Sequence, residues 1–343
     1  EYFRFFFNQW YGTIPTEIGQ MTALTELNLF GVSLAGTLPT ELGKLTQLAF
    51  LNLYGNELNG TIPIELIRLT GLEAFVFSGT SLTGTLPTEL GQLSALTTLF
   101  LTENSFTGTL PTELGRLTTL SGIWVYDNNF IGTLPTELGQ LTILSALYLE
   151  KNSFTGSIPT EIGQLVELTE LYINLNQLNG TLPTELGLMT DLVWLSLESN
   201  ALTGSLPTQL RNLSALEVLF LSENSFTGTL PTELGQLTSI TEIWLRNNSF
   251  NGTVPTELGE FSRLRSLYLQ ENSFTGPLPT EIGQLIQLYD LSINLNQLNG
   301  TLPTELGRLE LLWSMSLANN SFTGTVPTQL GDLSALITLD LSD

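Results

Sequence analysis

An elongated solenoid of 24-residue coils is what this sequence predicts, and three observations carry the prediction. Fourteen of its fifteen prolines fall on one comb, from Pro15, Pro39 and Pro63 every 24 residues to Pro327, with only Pro277 off it. Leucines recur with the same period. A second period of 120 residues, five coils, lies over the first: LSALTTLFL at 93 returns as LSALEVLFL at 213 and LSALITLDL at 333, and NLNQLNGTLPTELG at 174 returns at 294. A fixed period of this size marks a solenoid, in which each repeat buries its apolar face only against its neighbours. No linker or composition shift interrupts it, so residues 1–343 read as one domain of about 14 repeats.

The coil LSALTTLFLTENSFTGTLPTELGR, residues 93–116, gives the elements in order. Leu96, Leu99 and Leu101 are core; the alternation Leu99-x-Leu101 has period 2, so it is a short strand with Phe100 on its other face. Stacked coils make these strands a parallel sheet with strands about 4.8 Å apart. Asn104 follows, and Asn recurs in its column from Asn8 and Asn56 through Asn128, Asn152 and Asn176 to Asn320, as expected of an amide that satisfies backbone groups in the irregular part of the coil. Phe106 heads a core spine shared with Phe130, Phe154, Phe226, Phe250, Phe274 and Phe322. Thr107-Gly108-Thr109-Leu110 alternates again as a second short strand on the flank. Pro111-Thr112-Glu113-Leu114 opens a helical turn, with Thr112 as expected N-cap, Glu113 at the positive end and Gly115 as the tight exit. Twelve of fourteen coils carry that Glu, which reads as a solvated helix start rather than a calcium ladder.

The pattern LxxLxxLxLxxNxFxGxLPxxLGxL resembles the plant-type leucine-rich repeat of receptor-kinase ectodomains and polygalacturonase-inhibiting proteins. The resemblance covers essentially the whole chain. It implies a right-handed solenoid with a parallel β-sheet on the concave face, a short second sheet on the flank, and 3-10 or short helical turns on the convex face. It also implies extracellular recognition, not catalysis. Such proteins usually carry cysteine-containing caps, and this chain has no cysteine. Phe3, Phe5 and Trp10 stand in the first coil and the chain stops on Leu339-Asp340-Leu341, so the sequence reads as uncapped at both ends and as part of a longer chain.

Function is expected in the exposed columns. One outward column drifts from coil to coil and gives an aromatic track: Phe100, Trp124, Tyr148 and Tyr172, then Trp194 one step aside, then Phe220, Trp244 and Tyr268. Aromatic platforms suit sugar rings, peptides and protein hot spots, so this track is the expected partner-binding face. Acids flank it at Glu103, Asp127, Glu150, Glu198, Glu223, Glu242 and Glu271, with Lys151 and Arg246 as the basic exceptions. The flank column, in contrast, holds constant: Thr fills the position of Thr109 in eleven of fourteen coils. With Thr83, Thr85, Thr107, Thr203, Thr227, Thr229, Thr323 and Thr325 it forms a Thr-Gly-Thr ladder whose paired side chains, about 6.6 Å apart on a regular strand, resemble the ice-binding faces of repetitive antifreeze solenoids. Ile131 and Pro277 interrupt it. Asn59, Asn179, Asn251 and Asn299 begin Asn-Gly-Thr sequons on the same flank, and Asn212, Asn247 and Asn319 begin three more; occupied glycans there would cover the flat face.

Composition narrows the classes. The 33 acidic against 10 basic residues give a net charge of −23, which disfavours nucleic acid and anionic membranes and permits cationic partners. No run approaches the roughly 18 apolar residues of a membrane span. The absence of Cys and His leaves carboxylates alone for chemistry, and no cofactor or metal is indicated. Hydrolysis by paired acids such as Glu103 and Asp127 ranks low, because an open face lacks a water-excluding pocket. The resulting expectation is a non-enzymatic extracellular scaffold that binds a protein, peptide or carbohydrate partner. Ice binding through the threonine flank is the alternative, and a filament subunit joined head to tail the second alternative.

Overall fold

The computed structural model describes the backbone of residues 2–6 and all of residues 11–342. The expectations placed on Asn8, Trp10 and the side chains of Phe3 and Phe5 lie outside the described residues. The chain divides into two compact units, Glu1–Asn176 and Gln177–Asp343.

In the first unit, each coil contributes one strand to a parallel main sheet, from Tyr2–Phe6 and Glu26–Phe30 through Thr98–Phe100, Gly122–Trp124 and Ala146–Tyr148 to Glu170–Tyr172. Its register advances by one repeat per strand, with Thr98, Gly122, Ala146 and Glu170 side by side. Four-residue strands such as Ser105–Gly108 and Asn129–Gly132 pair in a second sheet, and five-residue 3-10 turns such as Thr112–Arg116 complete the coils. The second unit repeats this plan with main-sheet strands from Trp194–Ser196 to Thr338–Asp340. The predicted parallel sheets and helical turns are thus present, the turns as 3-10.

The core is what the period requires. Leu93, Leu96, Leu99, Leu101 and Phe106 are fully buried, and each such side chain contributes roughly 1.5–3 kcal/mol. The phenylalanine spine stacks ring on ring, with centroids 6.1 Å apart for Phe106–Phe130 and 6.2 Å for Phe130–Phe154. The asparagine column closes the coil on the other side. Asn128 Oδ1 accepts the Phe106 N–H at 3.0 Å, while Nδ2 donates to the Leu101 and Val125 carbonyls at 2.9 and 3.1 Å. One side chain therefore ties three buried backbone groups from two coils.

Three local expectations are corrected. Thr112 is the first residue of its turn, not the N-cap: Pro111 holds the cap position, no side chain caps the turn, and the Thr112 hydroxyl donates to Glu113 Oε2 at 3.3 Å. A 3-10 turn this short bonds i to i+3 from the proline carbonyl itself, so there is little for a side-chain cap to satisfy. Gly115 sits within the 3-10 turn and is not its tight exit; it makes room, since a Cβ there would lie 2.4 Å from the Glu137 carbonyl oxygen of the next coil. The Thr-Gly-Thr segment is not one regular strand either. Gly108 has φ +77°, the strand ends there, and Thr109 lies beyond it with its methyl 2.7 Å from the space a Cβ on Gly132 would need. Pairing of Thr109 with the next glycine, coil after coil, is a packing reason for both columns to hold constant.

Candidate functional site

Alternation places Ala146, Tyr148 and Glu150 on the outer face of the main sheet, with Leu147 and Leu149 fully buried beneath them. The aromatic track therefore lies on the side away from the leucine core, as expected. Its rings are half-buried, however, because they pack on one another. In the first unit, Phe100–Trp124 centroids are 4.1 Å apart, Trp124–Tyr148 5.8 Å and Tyr148–Tyr172 4.5 Å, all stacked. Coils about 4.8 Å apart bring successive rings to stacking distance. Ring faces in this ladder thus pack against one another and are not the separate open platforms that the sequence suggests. In the second unit, Trp194 meets Phe220 edge-on at 6.1 Å, Phe220 stacks on Trp244 at 4.1 Å, and Trp244 meets Tyr268 edge-on at 5.4 Å.

Two neighbours explain these arrangements. The Trp124 indole lies across Gly122, where a Cβ would come within 2.0 Å of it; the equivalent residue beneath Trp244 is Glu242, and the ring turns differently. Tyr148 donates its hydroxyl to Glu170 Oε2, and Tyr268 donates to Asp290 Oδ2 at 2.9 Å. Glu170 and Asp290 are 120 residues apart, as are Tyr148 and Tyr268, so the duplicated block preserved the bond. The 120-residue period was the signal that could have found these acids; alternation alone did not single them out.

Beside the Phe100 end of the first ladder runs a groove of about 630 Å³, lined among others by Phe50, Asn52, Tyr54, Val76, Phe100 and Tyr126. In the second unit a smaller hollow of about 260 Å³ is lined by Glu198, Ser222, Trp244, Arg246, Tyr268 and Gln270. Electrostatics follow burial. Desolvation raises Tyr148, Tyr172 and Tyr268 well above the usual phenol range, reinforced at Tyr148 by Glu170 and at Tyr268 by Asp290. Burial pushes Glu150 up to about 7 and also raises Glu198. Glu223 is held low, first by the Ser199 hydroxyl and then by the Arg246 guanidinium.

The flanking acids occupy two different places. Glu150 and Glu198 sit on the outer face, whereas Glu103, Asp127, Glu223 and Glu271 occupy a corner where φ lies between 55° and 57°. Lys151 shares that corner and approaches Asp127 at 3.8 Å. On the flank, Thr83, Thr85, Thr107, Thr109, Thr203, Thr227, Thr229, Thr323 and Thr325 are all exposed. Several hydroxyls on the first threonine of the pair are engaged: Thr83 donates to the Gly60 carbonyl at 3.2 Å and Thr203 to that of Gly180 at 3.3 Å. The seven sequon asparagines, Asn59, Asn179, Asn212, Asn247, Asn251, Asn299 and Asn319, are exposed too.

Leucine-rich-repeat family models match residues 190–250, and also 95–117, 144–165 and 263–285. The structure of a Leptospira interrogans leucine-rich-repeat protein is 33% identical over 96% of this chain and 87% of that one, with a TM-score of 0.76. The chain belongs to the leucine-rich-repeat family. A plant peptide hormone receptor, RGFR1 in complex with RGF2, is 31% identical to this leucine-rich-repeat chain over 97% of its length, with a TM-score of 0.80. The chain spans 61 to 64% of the first receptor chains it matches. A plant ice-binding protein is 26% identical over 68% of this chain and 77% of its own, with a TM-score of 0.58. No curated protein matches. Among the described residues, no helix is long and apolar enough to cross a membrane.

Proposed function

We propose that the chain is a non-enzymatic, extracellular recognition module that binds a peptide or protein segment on the outer face of its main sheet, across the aromatic ladders. The observation that carries this reading is the ladder itself. A solenoid core is complete without Phe100, Trp124, Tyr148 and Tyr172, yet these rings form a continuous apolar strip beside a groove, and such strips on soluble proteins usually meet partners. Stacking engages ring faces with one another, which favours peptide side chains over the face-on seating of a sugar. Structures of similar receptors in complex with peptide hormones support the partner class, and seven exposed sequons support a secreted, glycosylated chain.

Peptides selected from a random display library against the wild-type protein provide the test. If the reading holds, most should compete for one site, and replacing Trp124, Tyr148 and Tyr172 together with Ala should weaken them more than a hundredfold, at about 1–2 kcal/mol per anchor. Selected peptides that bind the triple variant unchanged would remove the ladder from the function.

Ice binding is the second reading, favoured by the exposed threonine ladder together with the similarity to a plant ice-binding protein. Unglycosylated protein should then inhibit ice recrystallisation, and Thr107→Lys with Thr227→Lys should abolish the effect. No inhibition by the unglycosylated wild type discards this reading.

A further inference from the structure

One row inward along the coil from the stacked tyrosines, the outer face carries Tyr126, Glu150 and Asn174 on three successive coils of the first unit. The backbone pairs them in sequence, with the Lys151 N–H donating to the Asn174 carbonyl at 3.1 Å. Glu150 Oε2 and Asn174 Oδ1 are both buried, and neither accepts a hydrogen bond. Buried acceptors without donors are costly, so two on neighbouring coils mark a place where donors are missing. Aromatic rings wall the row: Tyr126 and Tyr148 have centroids 6.5 Å apart, and Tyr172 stacks on Tyr148.

The duplicated block shows that a cation fits at one position of such a row. Adding 120 residues turns Tyr126, Glu150 and Asn174 into Arg246, Gln270 and Asn294. There a cation, Arg246, stands in the row itself and pairs with Glu223, which the same shift relates to Glu103, while Gln270 Oε1, like Glu150 Oε2, stays buried without a donor. The first unit has the carboxylate but no cation in the row. Its one nearby base, Lys151, stands at the corner and faces Asp127 instead.

We infer that the row of Tyr126, Glu150 and Asn174 is a receptor for a cationic side chain, a lysine ammonium or arginine guanidinium, of the peptide or protein partner. An ammonium offers three donors and no acceptor, the complement of two bare acceptors, and adjacent tyrosine faces or edges exclude water from the pair. The net charge of −23 draws such a partner in from a distance. The inference rests on the outer-face reading for its partner, but not for its test.

The probe is n-butylammonium, the end of a lysine side chain, against sodium chloride at the same ionic strength. The protein carries 13Cδ-labelled glutamate, and the Glu150 resonance is identified by its loss in Glu150→Gln. The groups facing Glu150 are Asp127, Lys151, Glu170, Tyr126, Tyr148 and Tyr172, and the charges among them are the same in both salts. In sodium chloride the carboxyl should titrate near 7, where burial places it. In n-butylammonium at about ten times its dissociation constant, the midpoint should fall by roughly one pH unit, because the cation binds only the ionised form. Asn174→Leu should reduce that fall. Equal midpoints in the two salts, or a fall undiminished in Asn174→Leu, would overturn the inference. Because no peptide enters this experiment, a failure of the outer-face reading would appear in the peptide competition and not here.

Discussion

At the scale of the residue, Glu150 is a carboxyl held where its charge is poorly solvated. Its usual value of 4.5 rises to about 7 because burial penalises the anion; Asp127 adds to the rise, and its own backbone N–H and Lys151 oppose it. The sign of the pH effect follows. Between about 4.5 and 7 the folded state binds the proton and the unfolded state does not, so this group's contribution to stability falls as pH rises through that window and is fully lost above it. Removing the charge should therefore raise the melting temperature at pH 8 and leave it nearly unchanged at pH 4. Thermal melts of Glu150→Gln and wild type across this range check it, and a difference independent of pH would contradict the account. The alternation of the strand revealed that Glu150 faces outward. Its partnerless oxygen was not legible, because that depends on what Tyr126, Tyr148 and Asn174 do around it.

At the scale of the element, the asparagine turn carries more than either short strand. A three-residue strand makes few bonds, and each coil would leave several backbone groups buried and unpaired without the amide. Asn128→Ala strands the Phe106 N–H and removes one of the two amide donors to each of the Leu101 and Val125 carbonyls, which Asn104 and Asn152 still serve, at a cost on the order of 2 kcal/mol. Hydrogen exchange should show the Phe106 amide losing protection first, ahead of amides several coils away, since repeat stability is local. Uniform loss of protection throughout the chain, or none at Phe106, would count against this assignment. This ladder was legible, as a recurrent amide can both donate and accept at one turn. The neighbouring flank was less so: Thr-Gly-Thr reads as a regular strand until the glycine's positive φ ends it.

At the scale of the whole molecule, the two readings of function use separate columns of one repeat. Aromatic substitutions on the outer face should leave any ice activity intact, and threonine substitutions on the flank should leave peptide binding intact, because each coil holds the two columns apart on different sheets. The 120-residue duplication also made two versions of the outer face. One has stacked rings and an uncompensated Glu150; the other has edge-on rings over Glu242 and a resident Arg246. The two versions are therefore expected to differ in the ligands they favour.

The sequence by itself determined the coil. A 24-residue period in Leu, Asn, Phe, Gly and Pro admits one way of burying the apolar residues, and the parallel sheets, the asparagine ladder and the phenylalanine spine follow from it without any long-range information. Only the tertiary structure decided what the outer columns do. Whether a ring offers its face or its edge, whether Glu170 holds Tyr148, and whether Glu150 finds a donor depend on contacts between residues about 24 apart. Such contacts exist only once coils stack, and periodicity constrains where a side chain starts but not where its far end comes to rest.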